Sequence, residues 1–220
     1  MDAVPEISGP VQAPASGGAP RALVVLLHGW GADGNDLIGL APSWARLVPG
    51  ARFVSPHAPY PCDENPMGRQ WFSFRDRDPR AVAEGAAHAG RIIDAFVDAE
   101  LAATGLGDER LALVGFSQGA MMALYVALRR ERTCAAVIGY SGALIGGDTL
   151  PAELRAKPPV FLAHGDADPM VPFESLAAAV EALGALEVPV RWHVARGVGH
   201  GIDGHGLAIG GDFLVNALGG

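Results

Sequence analysis

Six short apolar runs, ALVVLL (Ala22 to Leu27), RFVS (Arg52 to Ser55), LALVGF (Leu111 to Phe116), AAVIGY (Ala135 to Tyr140), VFLAH (Val160 to His164) and VRWHV (Val190 to Val194), are spaced along the chain with helical patterns between them. This alternation limits the fold more than any other feature. Strands that are apolar at nearly every position have no solvent face, so they belong in a parallel sheet covered by helices on both sides. VRWHV alternates more than the others, as an edge strand does. Between the runs, Val82, Ala86, Ala89, Ile93, Phe96 and Leu101 form one stripe of a long helix; Phe173, Leu176, Val180 and Leu183 repeat the pattern, and so do Gly210, Leu214 and Leu218. The expectation is a doubly wound α/β fold in one domain over residues 1–220, with residues 1–20 adding an antiparallel edge strand and a loop.

Composition narrows the function classes. Of 220 residues half are apolar and 18% charged, enough to bury a core without staples. A net charge of -8 argues against nucleic acid or an anionic membrane surface as partner. The one basic cluster, Arg129, Arg130 and Arg132, reads as a solvated helix end. No apolar run is long enough for a membrane anchor, and the N-terminal stretch MDAVPEISGPVQAPASGG lacks a basic start followed by an apolar segment, so a cytoplasmic protein is expected. An edge strand or loop leaves it open to pairing as a homodimer. The two cysteines, Cys62 and Cys134, match no metal spacing and read as free thiols, with Cys134 opening a buried strand.

Two glycine-rich turns carry the chemistry. The first, Gly29-Trp30-Gly31-Ala32-Asp33-Gly34, spells G-x-G-x-x-G after a strand. A dinucleotide site of that kind needs an acidic residue about twenty positions on. Between Asp36 and Asp63 there is no Asp or Glu, so no cofactor is expected. The second turn, Gly115-Phe116-Ser117-Gln118-Gly119, lies between a strand and the helical MMALYVAL. G-x-S-x-G in that setting is a nucleophile elbow, in which small neighbours let the chain turn sharply and project the serine beyond the sheet. A near-copy, Gly139-Tyr140-Ser141-Gly142-Ala143, lacks the last glycine and a clear following helix, and Ser141 reads as a loop residue.

A serine hydroxyl is scarcely ionised near neutral pH and needs a base, which needs an acid to orient it. Downstream, HGDADPMVP follows a strand and supplies Asp166 and Asp168, and RGVGHGIDGHG follows the next and supplies His200 and His205. The order Ser, Asp, His is the one that accompanies a nucleophile elbow. The H-G turn His28-Gly29-Trp30 then has a second use: the backbone N–H groups of Trp30 and Gln118 form an oxyanion hole. No H-E-x-x-H occurs, and His164, Asp166 and Asp168 read as turn chemistry, so no metal is expected. His88 reads as solvated, His193 as a strand residue, and His28 and His164 as histidines bonded locally to backbone at strand ends. The segment Pro56 to Asp78 is long and aperiodic, which marks a functional connection.

The stretches LLHGWGADGNDL, PHAP, GRQWF, GFSQGA, HGDADPMVP and GVGHG together resemble the phospholipase/carboxylesterase family, which includes acyl-protein thioesterases. The resemblance spans roughly residues 22 to 218. It implies an α/β-hydrolase fold, no cofactor, and hydrolysis of carboxylic esters or thioesters by Ser117, Asp168 (rather than Asp166) and His200. His200 also follows the last strand by a short loop, where the base of this fold belongs, whereas His205 stands at the entrance to the final helix. Trp71 of GRQWF would line the site. Trp30 departs from the leucine or tyrosine expected there, which bears on pocket shape and leaves the backbone N–H in place. Phe72, Met67 and Met170 join Trp71 as expected substrate contacts because their loops flank the site. With no large cap domain the pocket should be shallow, which favours small to medium acyl esters over the alternatives, an acyl-thioester or a lysophospholipid. A non-catalytic binding module on the same fold is the rival class.

Overall fold

A computed structural model describes residues 5–219. In chain order the strands are β1 (Val11–Gln12), β2 (Ala22–Leu27), β3 (Ala51–Val54), β4 (Tyr60–Pro61), β5 (Arg69–Gln70), β6 (Leu111–Phe116), β7 (Ala136–Tyr140), β8 (Val160–Gly165) and β9 (Val190–Ala195). The α-helices are α1 (Gly34–Leu37), α2 (Ala41–Trp44), α3 (Pro79–Thr104), α4 (Gln118–Ala127), α5 (Leu150–Glu153), α6 (Glu174–Ala185) and α7 (Gly204–Leu218). The main sheet has the order β1-β3-β2-β6-β7-β8-β9. Every neighbouring pair is parallel except β1 and β3, where Val11 faces Val54 antiparallel. β4 and β5 form a separate hairpin inside the long aperiodic segment.

The two-residue period of the strands divides the core in two. On β2, Leu23, Val25 and Leu27 enter one cluster with Ala86 and Ile93 of α3, Met122 of α4, and Leu176 and Leu183 of α6. Ala22, Val24 and Leu26 enter the other with Leu37 of α1, Trp44 of α2, and Leu214 and Leu218 of α7. The apolar runs thus become a sheet covered on both faces: an α/β-hydrolase arrangement with a mostly parallel sheet. Among the described residues no helix is long and apolar enough to cross a membrane. β7 begins at Ala136, so Cys134 precedes the strand it was expected to open. It is nonetheless buried, and that burial pushes its thiol pKa up to about 12.

Helix α3 shows how local chemistry sets an element's limits. Pro79 fits the first turn, where no intrahelical N–H bond is lost, and the Asp78 carboxylate caps it by accepting the Arg80 N–H at 2.9 Å. Its end is set by Gly105, whose φ of 70° is left-handed and lets Leu106 N–H reach back to Leu101 C=O at 3.1 Å.

The basic cluster corrects one expectation. Arg130 is only 8% exposed, because its guanidinium donates to Asp108 at 2.8 Å and Asp98 at 2.7 Å and also contacts Asp94. It ties the end of α4 to α3 and to the turn before β6. Asp108 is as buried as the arginine, whereas the Asp98 side chain is 64% exposed. Arg130→Met therefore strands a buried carboxylate and should cost about 3–5 kcal/mol in denaturant unfolding. Asp98→Asn should cost less than about 1 kcal/mol; similar losses for both would show that the buried pair is not what holds this corner.

Candidate active site

The strands that precede Trp30, Ser117, Asp168 and His200, namely β2, β6, β8 and β9, run parallel and end at the same edge of the sheet. At the end of β6 the chain reverses through Ser117, whose φ of 52° and ψ of -118° lie outside the regions open to ordinary residues. The flanking glycines make this turn sterically feasible. A Cβ on Gly119 would lie 1.8 Å from the Leu27 carbonyl oxygen, and one on Gly115 would lie 2.2 Å from the Gly119 backbone. The Ser117 N–H is anchored to Tyr140 C=O on β7 at 2.9 Å. Gln118 opens α4, so its N–H has no acceptor within the helix.

The turn after β2 lies against this elbow, close enough that a Cβ on Gly29 would stand 3.4 Å from the Ser117 Cβ. Among the described residues the Trp30 N–H has no acceptor either. Two unpaired N–H groups are therefore available beside one hydroxyl. The turn is held rigidly from behind. His28 Nε2 accepts the Ala58 N–H at 3.0 Å, which places the ring proton on Nδ1, where it is donated to Gly29 C=O at 2.8 Å. Burial of His28 is the largest influence on the ring and lowers its pKa, so it stays neutral.

The long segment after β3 acts as a strap across both turns. Gln118, fully buried, accepts the Trp71 N–H through Oε1 at 2.9 Å and donates through Nε2 to Phe72 C=O at 2.8 Å. Trp71 Nε1 donates to His28 C=O at 2.9 Å, and Trp30 Nε1 donates to Gln70 Oε1 at 2.8 Å. Trp71 and Phe72 are thus closed into the core at 0% and 3% exposure, while Met67 and Met170 stand out at 91% and 65%.

Asp168 lies in the turn after β8 with its side chain fully shielded. Oδ1 accepts the N–H groups of Met170 and Val171 at 2.8 and 3.0 Å, and Oδ2 lies 2.7 Å from His200 Nδ1. Burial pushes this carboxyl up, but the hydrogen bonds from His200, Val171 and Met170 outweigh it, and its pKa falls below the usual carboxylate value. Because Nδ1 donates to the carboxylate, His200 Nε2 is left as the acceptor. The ring packs 4.9 Å from Phe116, the neighbour of Ser117. Ser117 and His200 are both partly exposed, and among the described residues neither Ser117 Oγ nor His200 Nε2 has a protein hydrogen-bond partner.

The other candidates fall elsewhere. Asp166 turns away and accepts the Gly197 N–H at 2.6 Å. His205 is exposed, with its ring 5.0 Å from that of His193, while the nearby Asp203 accepts from His193 at 3.1 Å and caps α7. Ser141 is more than a loop residue: it is buried at a φ of 50°, binds Ala163 C=O through its N–H at 2.8 Å and donates its hydroxyl to Gly201 C=O at 3.3 Å. Its hydroxyl holds the loop that carries His200. Among the described residues no group of three His, Cys, Asp or Glu side chains is arranged to hold a metal ion.

Comparison with known proteins places this geometry in context. A family model described as Phospholipase/Carboxylesterase matches residues 11–217. The chain is similar to Esterase YpfH of Escherichia coli strain K12, at 31% identity over 200 residues, covering 88% of this chain and 82% of that one. It is similar also to Acyl-protein thioesterase 1 of Gibberella zeae, at 28% identity over 201 residues, covering 81% of this chain and 83% of the relative. Among solved structures, esterase PE8 superposes with a TM-score of 0.93 at 44% identity, covering 97% of this chain and all of that one.

Proposed function

The chain belongs to the phospholipase/carboxylesterase family, and from that premise we propose that it is a serine hydrolase that cleaves carboxylic esters of small to medium acyl chain through an acyl-serine on Ser117. The observation that carries this is the shielded Asp168–His200 pair at 2.7 Å, set beside an elbow whose serine hydroxyl and two neighbouring N–H groups have no hydrogen-bond partner among the described residues.

Each group has one task. His200 Nε2 takes the Ser117 proton as Oγ attacks the ester carbonyl, and Asp168 stabilises the imidazolium that results. The negative charge on the carbonyl oxygen is received by the N–H groups of Trp30 and Gln118, each worth about 2.7–4 kcal/mol at the transition state. His200 then returns the proton to the departing alcohol. Water, activated by the same ring, attacks the acyl-serine and frees the acid. No cofactor enters these steps. A thioester would follow the same course, and the similarity to Acyl-protein thioesterase 1 favours an acyl-thioester as the second substrate class. A lysophospholipid is the third.

Chain length is set by what walls the site. Trp71 and Phe72 shape it indirectly, by holding Gln118 and the His28–Trp30 turn, while Met67 and Met170 offer apolar contacts from exposed loops. Both methionines stand out into solvent, which favours an open site over one that encloses a long chain. In a series of aryl esters from acetyl to palmitoyl, assayed beside the matching thioesters and lysophospholipid, the short and medium esters should turn over fastest; a maximum at palmitoyl would refute the shallow pocket.

Turnover of an aryl butyrate should fall by on the order of 10⁶ in Ser117→Ala and about 10⁴ in Asp168→Asn. His200→Ala should abolish it and His205→Ala should spare it. Undiminished hydrolysis in Ser117→Ala would remove the serine from the mechanism, and a wild-type protein that hydrolyses no ester would favour the binding-module reading.

A further inference from the structure

A second histidine stands beside the Asp168–His200 pair. His164 ends the apolar run of β8 and is 2% exposed. Its Nε2 lies 3.0 Å from the Val171 carbonyl oxygen and 3.3 Å from Asp168 Oδ2. Both neighbours only accept hydrogen bonds, so this nitrogen carries a proton whatever the charge of the ring. Val171 in turn donates its N–H to Asp168 Oδ1 at 3.0 Å. The turn is thereby closed: the His164 N–H holds the Val171 carbonyl, the Val171 amide holds one carboxylate oxygen, and the His164 ring nitrogen stands 3.3 Å from the other. That other oxygen is the one His200 binds at 2.7 Å. Phe173 packs edge-on against the His164 ring, with centroids 6.2 Å apart, and fixes its plane.

We propose that His164 is a positioning residue for the Asp168–His200 pair, fixing the rotation of the Asp168 carboxylate and tempering the pull of Oδ2 on His200. The proposal rests on Asp168 and His200 being the acid and base named above. Its physical basis is competition for one oxygen. The positive end of the His164 N–H dipole, 3.3 Å from Oδ2, stabilises the carboxylate electrostatically and weakens it as an acceptor. Without that donor the carboxylate holds the His200 imidazolium more tightly, the base titrates at higher pH, and less of it is neutral near pH 7. Burying a histidine at the end of an apolar strand is unfavourable unless its polar edge is used, and here that edge is turned to the turn that carries the acid. The other charged groups nearby are engaged elsewhere: Asp166 accepts the Gly197 N–H at 2.6 Å and Asp203 accepts from His193 at 3.1 Å. Asp168 therefore faces two titratable side chains, His164 from β8 and His200 from the loop before α7.

The test is the titration of His200 followed by side-chain NMR, without substrate, in the wild type and in His164→Leu and His164→Gln. The leucine removes the donor at similar volume; the glutamine returns an amide N–H to the same region. The His200 midpoint should rise by about half to one unit in His164→Leu and return most of the way in His164→Gln. Aryl ester turnover at pH 7 should fall by about two- to threefold in His164→Leu with KM within about twofold, and recover as pH rises above the shifted midpoint. If the leucine variant does not fold, His164→Asn, too short to reach the carboxylate, takes its place. A His200 midpoint unchanged in every folded variant overturns the proposal, even if the wild type is an active esterase. A shifted midpoint in a wild-type-like protein with no esterase activity upholds the coupling and overturns only the reaction assigned to it.

Discussion

The reversal of the chain at Ser117 is the constraint on which the rest of the site depends. A serine at a φ of 52° is strained. It is held because Gly115 and Gly119 allow β6, α4 and the end of β2 to approach more closely than any side chain would permit. The same approach brings the His28–Trp30 turn beside the serine. One steric fact thus brings Ser117, the start of α4 and the His28–Trp30 turn together. Parallel strands then do the remainder, since β8 and β9 end at the same edge and deliver Asp168 and His200 to it.

Rigidity comes from buried polar side chains rather than from more apolar contact. Gln118, His28, Ser141 and His164 are each buried and each bonded to loop backbone, Gln118 and His28 to the segment after β3, Ser141 to the loop that carries His200 and His164 to the turn that carries Asp168. A buried amide or imidazole left without a partner costs on the order of 1–3 kcal/mol, so each of these loops resists moving away. The arrangement is a shell of polar anchors behind a site in which Ser117 and His200 are partly exposed while Asp168 is shielded.

Much of this was legible in the sequence. Continuous apolar strands and helical stripes of three and four read directly as a sheet covered on both faces, and the G-x-S-x-G around Ser117 read as an elbow because small neighbours between a strand and a helix let the chain turn sharply. What was not legible depends on distant pairs. Gln118 and Trp71 are 47 residues apart and their hydrogen bond leaves no local pattern, so Trp71 and Phe72 read as pocket lining when they are the strap. Arg130 read as solvated because its partners Asp94, Asp98 and Asp108 lie on other elements. Ser141 adopts a left-handed conformation that a non-glycine residue does not advertise. His164 belongs to the HGDAD stretch, but which oxygen its ring faces is decided by the turn and not by the spacing. Sequence order marked where the chemistry lies, and tertiary contacts decided which side chains hold it in place.

The central claim is that Ser117, and not its near-copy Ser141, is the nucleophile that His200 activates. Peptide mapping by mass spectrometry after exposure to a fluorophosphonate tests it most directly, because the probe bonds only to an activated hydroxyl. The account predicts one adduct, on Ser117, present in the wild type and in His205→Ala and lost in His200→Ala. An adduct on Ser141, or labelling of Ser117 that survives removal of His200, would contradict it.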